Sequence, residues 1–313
     1  RKAVAAKHGV REFASNESLL AEVDAVVVAA PSFLHAEIGR EVLMRGKHLM
    51  MEKPVTTTAD SARELAAIAR QNQLVFQVGH VEQHSLAWNK ALEYLKDVRM
   101  GETPVVVEAT RTSGYTFRST DVGVTLDLMI HDIELVLSLI PSPVERVMAN
   151  GFSQIGGHED YASATLSFQN GSTAHLKASR IELEPVRRMT IQTCAKKVTV
   201  DFNARSVQLF VPRSGILEGS YKPDNMTLAQ MGDRVKTFMT DEYDTSSDSF
   251  DNVDSLCREM ENFVSAIKRE TMSVVPGERA VKAVCIAEEI VREINSRTQR
   301  TSVPATERLR IVG

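Results

Sequence analysis

Between Val23 and Val81, three short apolar runs alternate with two helical stretches, and few folds accept that order. The run VDAVVVAAP (23–31) is β-branched and closed by a proline, which predicts a strand buried on both faces of a parallel sheet. In SFLHAEIGREVLMRGKH, Leu34, Ile38, Val42 and Leu43 recur at helical spacing, and Gly46 supplies a left-handed stop. HLMMEKPV then reads as a second strand ending at Pro54, TTTADSARELAAIARQNQ as a second helix with Thr or Asp caps, and LVFQVGHV as a third strand. Strand, helix, strand, helix, strand is the pattern of βαβ units, so residues 1–82 are expected to form a Rossmann-type domain.

After the helix expected over Ala87–Asp97 the period changes from helical to alternating. VVVEATR, VERVMANGF, YASATLSF, STAHLKAS, RMTIQTC, KVTVDF and VQLFV are short strand candidates, and Asn170-Gly171 between two of them is a strong hairpin signal. Residues 83–313 are therefore expected to be a second α/β domain built on a large, mainly antiparallel open sheet. One stretch, VTLDLMIHDIELVLSLI (124–140), interrupts the strands with helical spacing. Ser214–Asp248 reads as a polar irregular excursion, and amphipathic helices around Val253–Glu270 and Glu278–Arg297 precede a basic tail. The chain's 313 residues suit two domains. A net charge of -4 gives no electrostatic case for nucleic acid, and no apolar run reaches the ~18 residues of a membrane span. Cys194, Cys257 and Cys285 stand far apart, which predicts small core residues, no disulfide framework and a reducing cytoplasm.

Chemistry concentrates in four places. Ala30, Pro31, Ser32 and His35 lie where a parallel strand hands over to a helix, the edge at which open α/β sheets bind ligands; the same residues also read as a capped turn. Glu52 and Lys53 end the next strand at that edge, where a desolvated ammonium can act on a substrate hydroxyl, or where the two charges form a solvated pair. Asp127 and His131 sit four residues apart on an apolar helix, either as a satisfied buried pair or as acid-base groups. A metal site has too few ligands there. Asp132 and Glu134 fall on other faces and are expected to be solvated. Upstream, Arg111, Tyr115 and Arg118 occupy a turn-rich loop suited to clamping an anionic or sugar-bearing ligand, or to carrying surface charge.

VDAVVVAAPSFLH, GKHLMMEKP, QVGHVEQH, TLDLMIHDIEL and the closing FVSAIKRE and PGERAVKAVCIAEEI resemble, in this order, the Gfo/Idh/MocA family of NAD(P)-dependent sugar oxidoreductases. The resemblance implies a catalytic set of Lys53, Asp127 and His131, and cofactor contacts from Ala30, Pro31, Ser32, His35, Glu52 and Lys53. It implies NAD or NADP as cofactor. Lys53, Arg111, Tyr115, Arg118, Asp127 and His131 would face a sugar or UDP-sugar substrate, and a homodimer or homotetramer would form through the sheet. An apolar exposed sheet face is expected to drive that assembly. VGHVEQH with DVGVTLDLMIHDIEL resembles most the branch that oxidises nucleotide-linked amino sugars, such as the UDP-N-acetylglucosamine 3-dehydrogenases, except that Gln83 and His84 replace that branch's usual Arg-Phe.

The family's Gly-rich turn has no counterpart here, since no G-x-G occurs among the 16 glycines. The expectation is that the first strand and its turn precede Arg1, that the choice of NAD or NADP lies with them, and that these 313 residues alone hold cofactor weakly. Two other functions fit the same scaffold: a glycoside hydrolase or sugar–sugar oxidoreductase with a tightly held NAD, and a non-catalytic sugar- or NAD-binding regulator.

Overall fold

A computed structural model describes residues 2–222 and 226–300; the expected basic tail lies outside them. Two compact units are present. One takes in residues up to His80 together with Glu259–Val284, and the other takes in Val81–Arg258 and the chain from Cys285 on.

In the first unit, helices α1 (Lys2–His8) and α2 (Asn16–Leu20) precede β1 (Ala25–Val28), α3 (His35–Met44), β2 (His48–Glu52), α4 (Ala59–Gln71) and β3 (Phe76–Gly79). The three strands pair in parallel in the order β1-β2-β3. Helix α4 starts where the Thr58 side chain accepts a hydrogen bond from Ser61 N, as its sequence cap predicts. Leu43, Leu49, Met50, Met51 and Leu65 are fully buried, each contributing about 1.5–3 kcal/mol of transfer free energy. Among the described residues β1 pairs with β2 alone, and Val27 is 42% exposed.

Residues Glu259–Val284 group with this unit and not with 83–313, because β3 is held by them. Val78 N donates to Val275 O (3.0 Å), and buried Gln77 donates to Glu259 O (3.1 Å) while accepting from Ser273 Oγ (2.9 Å). Gly277 opens helix α11 (Gly277–Arg300) hard against the Phe76 ring, where an added Cβ would lie 2.1 Å from Cδ1.

The second unit holds α5 (Leu86–Leu95) and an eight-stranded sheet: β4 (Val106–Thr112), β5 (Val144–Phe152), β6 (Tyr161–Phe168), β7 (Thr173–Ser179), β8 (Val186–Gln192), β9 (Lys197–Asp201), β10 (Ser206–Pro212) and β11 (Tyr243–Ser249). Their order is β11-β10-β9-β8-β4-β7-β6-β5, antiparallel except for β4 with β7. Asn170-Gly171 turns the β6–β7 hairpin, with Gly171 at φ +84° and Ser172 N bonded to Asn170 Oδ1 (3.1 Å).

Alternation along β6 buries Ala162, Ala164, Leu166 and Phe168, while Ser163, Thr165 and Ser167 occupy the other face. That second face carries hydroxyls where an apolar surface was expected. α6 (Ile130–Leu139) packs on β4 and β7, and α5 on β9 and β10. The excursion after β10 resolves into the short helices α7 (Ser214–Leu217), α8 (Leu228–Arg234) and α9 (Phe238–Asp241) followed by β11. β11 escaped the sequence reading because YDTSSDS has no apolar alternation; its register comes from its partner β10. Helix α10 (Ser255–Ile267) follows. Cys194 and Cys257 are exposed and Cys285 is half-buried, so none is the fully buried core residue expected.

Replacing Gly277 with Ala adds helix propensity of up to about 1 kcal/mol but forces the rigid Phe76 ring to move, at about 1–3 kcal/mol. The clash wins, and Gly277→Ala is expected to lower the denaturant midpoint of the protein with its m-value unchanged.

Candidate active site

The first unit gathers one group of candidates at the carboxyl edge of its sheet. β1 pairs Val28 with Met51 of β2, so Ala30–Ser32, just beyond β1, and Glu52–Lys53, the last residue of β2 and the next, emerge side by side. Ser32 opens a 3-10 turn that runs into α3, and no side chain caps either start. The leading amides of this helix entry are thus not satisfied by a capping side chain, and they carry the positive end of the helix dipole. Glu52 lies against Gly79 of β3, where a Cβ would stand 3.0 Å from Oε2. Lys53, half-buried, precedes Pro54 through a cis peptide.

His35 behaves differently from a cofactor contact. It is 1% exposed, with Nδ1 2.8 Å from Pro54 O and Nε2 2.9 Å from Ala30 O. Both ring nitrogens face backbone carbonyls, so the imidazole staples the loop after β1 to the loop after β2. It fixes where Lys53 begins.

The second unit gathers the rest. Thr125–Met129 forms a π-helical turn, with Asp127 inside it, and α6 continues from Ile130 with His131 in its first turn. Asp127 N still donates to Gly123 O (3.0 Å). A π-turn widens the helix locally and is found disproportionately at functional sites. Asp127 and His131 are both half-buried.

Three expectations are corrected here. Arg111 was read as a substrate contact in a loop; it lies on β4 at 2% exposure, on the same inward face as Val107 and Ala109. Its guanidinium donates to both oxygens of Asp132 (3.1 and 2.9 Å) and to Glu82 Oε1 (2.8 Å). Burial opposes the Arg111 charge, yet the two carboxylates outweigh it and raise its pKa, while burial pushes the Asp132 carboxyl up against the pull of Arg111. Asp132 and Glu134 are not solvated: they are 2% and 0% exposed, because α6 is covered almost all round. Glu134 Oε2 accepts from Gln83 Nε2 (2.7 Å), and Gln83 Oε1 accepts from Trp88 Nε1 (3.1 Å). Gln83, where a cation was expected, is therefore part of a buried amide network.

Tyr115 is half-buried, meeting Phe117 edge-on at 5.1 Å, with the Arg180 guanidinium 5.4 Å from its ring centre; Arg118 is exposed. Arg180 and its partner Asp160 were not singled out in the sequence. They are 5% and 0% exposed and joined at 2.6 Å. Hairpin register holds the signal for them: Tyr161 faces Ser179, and one step beyond, Asp160 faces Arg180, with Arg180 N donating to Asp160 O (3.0 Å). Among the described residues, no group of three or more His, Cys, Asp or Glu side chains is arranged to hold a metal ion. No helix is long and apolar enough to cross a membrane.

Comparison with known proteins identifies the family. Residues 1–80 match the oxidoreductase family with an NAD-binding Rossmann fold, and residues 98–194 match the GFO/IDH/MocA C-terminal domain. UDP-N-acetylglucosamine 3-dehydrogenase from Acidithiobacillus ferrooxidans is 34% identical over 216 residues, 69% of this chain and 67% of that protein. The chain belongs to the Gfo/Idh/MocA oxidoreductase family. The solved structure of that dehydrogenase superposes with a TM-score of 0.79 at 28% identity, covering 94% of this chain and 86% of the other. Inositol 2-dehydrogenase from Rhizobium meliloti is 22% identical over 291 residues, 89% of this chain and 81% of the relative. The WlbA dehydrogenase from Bordetella pertussis, solved with NADH and UDP-GlcNAcA, shares the fold at a TM-score of 0.74 and 17% identity, covering 94% and 85% of the two chains.

The Gfo/Idh/MocA chain is an NAD-binding oxidoreductase, and its own residues fit that cofactor class. The uncapped helix entry at Ser32 offers backbone amides to an anionic group at the carboxyl edge of a parallel sheet.

Two outcomes separate structural from substrate roles in the second unit. Arg111→Met leaves the buried Asp132 carboxylate and the half-buried Glu82 carboxylate without their cation and is expected to destabilise the protein by about 3–5 kcal/mol in urea unfolding; a variant of parental stability that only binds substrate poorly would restore Arg111 to the substrate set. Burial works against the Asp160 carboxylate, but the Ile155 and Gln154 amides and Arg180 together hold its pKa below the ordinary value. Its stabilisation is therefore present above the unfolded value of about 3.9 and lost as pH falls through the lower folded value. Asp160→Asn is expected to destabilise the protein at pH 7, and the gap from the parent to close as urea curves are taken below that range.

Proposed function

We propose that this chain oxidises a secondary alcohol of a sugar, with a nucleotide-linked sugar as the first candidate, and that Lys53, Asp127 and His131 carry the proton chemistry. The observation that carries the reading is the π-turn, with a carboxylate at Asp127 and an imidazole at His131 four residues on, both half-buried, while Asp132 and Glu134 on the same helix are held in buried polar contacts. The named activity of the 34%-identical relative supports the nucleotide-sugar class.

In this reading a ring nitrogen of His131 accepts the proton of the substrate hydroxyl as its O–H bond breaks. Lys53 Nζ donates a hydrogen bond to the same oxygen and stabilises the negative charge that develops there before the carbonyl forms. Asp127 orients the imidazole and favours its protonated state. NAD or NADP, when bound, would supply the acceptor for the hydride of the carbinol carbon. Ala30, Pro31, Ser32, Glu52 and Lys53 would hold the cofactor, and His35 keeps their two loops in register through Ala30 O and Pro54 O.

Cofactor reduction followed at its absorbance with a panel of UDP-sugars, free sugars and polyols tests this. Lys53→Ala, Asp127→Asn and His131→Ala are each expected to lower kcat by about 10²–10⁴-fold while the fold survives. If all three retained parental turnover, the assignment would be wrong. A cofactor that co-purified and cycled with no net reduction would favour the hydrolase or sugar–sugar exchange reading instead.

A further inference from the structure

The segment that enters the π-turn is held from below by residues the reaction does not use. Arg180, just past the end of β7, donates Nε to Asp160 Oδ1 (2.6 Å) and Nη1 to the carbonyls of Val122 (3.0 Å) and Ser119 (3.4 Å). Asp160 directs its other oxygen to the amides of Gln154 (2.7 Å) and Ile155 (2.6 Å), which ties the same pair to the β5–β6 connection.

Its neighbour Glu159 completes the seat. Glu159 O accepts from Val124 N (2.9 Å), and Glu159 Oε1 accepts from Thr125 N (3.1 Å), a carboxylate placed at the first amides of the helix. A Cβ at Gly123 would stand 2.1 Å from the Glu159 carboxylate, so a side chain there displaces that carboxylate from Thr125 N. Just upstream, Phe117 and Ser119 adopt left-handed backbone at φ +57° and +50°, a conformation that costs about 1–3 kcal/mol per non-glycine residue and persists only where surrounding contacts impose it.

A buried ion pair is weak support for stability, because a well-packed apolar pair of similar volume is often as stable. What the guanidinium adds is direction: three hydrogen bonds in a rigid fork, two of them to backbone carbonyls within four residues of Gly123. Gly123 O in turn receives Asp127 N.

We propose that Arg180 and Asp160, with Glu159 and Gly123, form a positioning device that sets the start of the π-turned helix and thereby the placement of Asp127 and His131. The inference rests on the catalytic reading above and deepens it: none of these four residues touches substrate, and each acts through the backbone of 119–125.

The test compares Arg180→Met, Gly123→Ala and the exposed control Arg188→Met with the parent, using the alcohol substrate identified by the panel. Arg180→Met is expected to lower kcat about 10²-fold, as a misplacement on the order of 1 Å does, with KM little changed because the interactions lost are those of the transition state. Amide hydrogen exchange is expected to quicken across Ser119–Met129 and stay parental over β8–β10. Free guanidinium ion is expected to restore part of the turnover of Arg180→Ala, which a general loss of folding would not allow.

Gly123→Ala reaches the same helix start without touching Arg180, and is expected to lower kcat in the same way even where Arg180 variants fold poorly. Arg188→Met should leave every readout unchanged. Parental kcat in Gly123→Ala or in a folded Arg180→Met overturns the proposal, as does a loss of activity that follows thermal destabilisation with exchange raised throughout the sheet and no guanidinium rescue. If Asp127→Asn and His131→Ala abolish turnover while Arg180→Met does not slow it, the positioning inference alone fails. If those two keep parental turnover, the catalytic reading fails and takes the inference with it.

Discussion

One buried cation organises the second unit. Arg111 points inward from the middle of an eight-stranded sheet, and a guanidinium at 2% exposure is tolerated only where acids meet it in the right plane. Asp132 supplies two acceptors from α6 and Glu82 supplies a third from the segment before α5. Three parts of the chain distant in sequence are thereby fixed to one point: a central strand, the helix that bears His131, and the turn that follows β3. Because the bonds are directional, they set the rotation of α6 about its axis, which apolar packing alone specifies poorly on a helix covered nearly all round.

That same inward geometry explains what was legible beforehand. Strands β4 to β10 announce themselves by period-2 alternation, and Asn170-Gly171 places the hairpin that sets register for β6 and β7. Arg111 belongs to the alternation too, two steps on from Ala109, so its burial was readable from position, whereas its chemistry type suggested a surface loop. β11 was not readable: its seven residues are mostly polar, and pairing with β10 is imposed by the neighbour's backbone.

The candidate site divides along similar lines. Ser32, Glu52 and Lys53 stand at strand ends, the edge at which parallel sheets place ligands, which is what makes them candidates in the sequence. His35, expected as a cofactor contact, has its two ring nitrogens at Ala30 O and Pro54 O, so it joins the loops after β1 and β2. Asp132 and Glu134 were misread because a charged residue on a helix ordinarily faces water; the expectation fails when the helix has no face left to solvent.

Asp160 and Arg180 show how far the same logic extends. Neither carries a motif, and each alone is an ordinary charged residue beside a strand. The hairpin turn pairs them, burial forces them to satisfy one another, and the guanidinium's Nη1 donates to the carbonyls of Ser119 and Val122. A carboxylate next door then accepts from Thr125 N at the start of the helix and lies against Gly123. The π-turn at Asp127 is therefore the end of a chain of constraints that begins at Asn170-Gly171, and each link is a hydrogen bond or a steric limit rather than a preference of the helix sequence itself. Local propensity would favour an uninterrupted α-helix through TLDLM; the tertiary seat beneath it holds the wider turn.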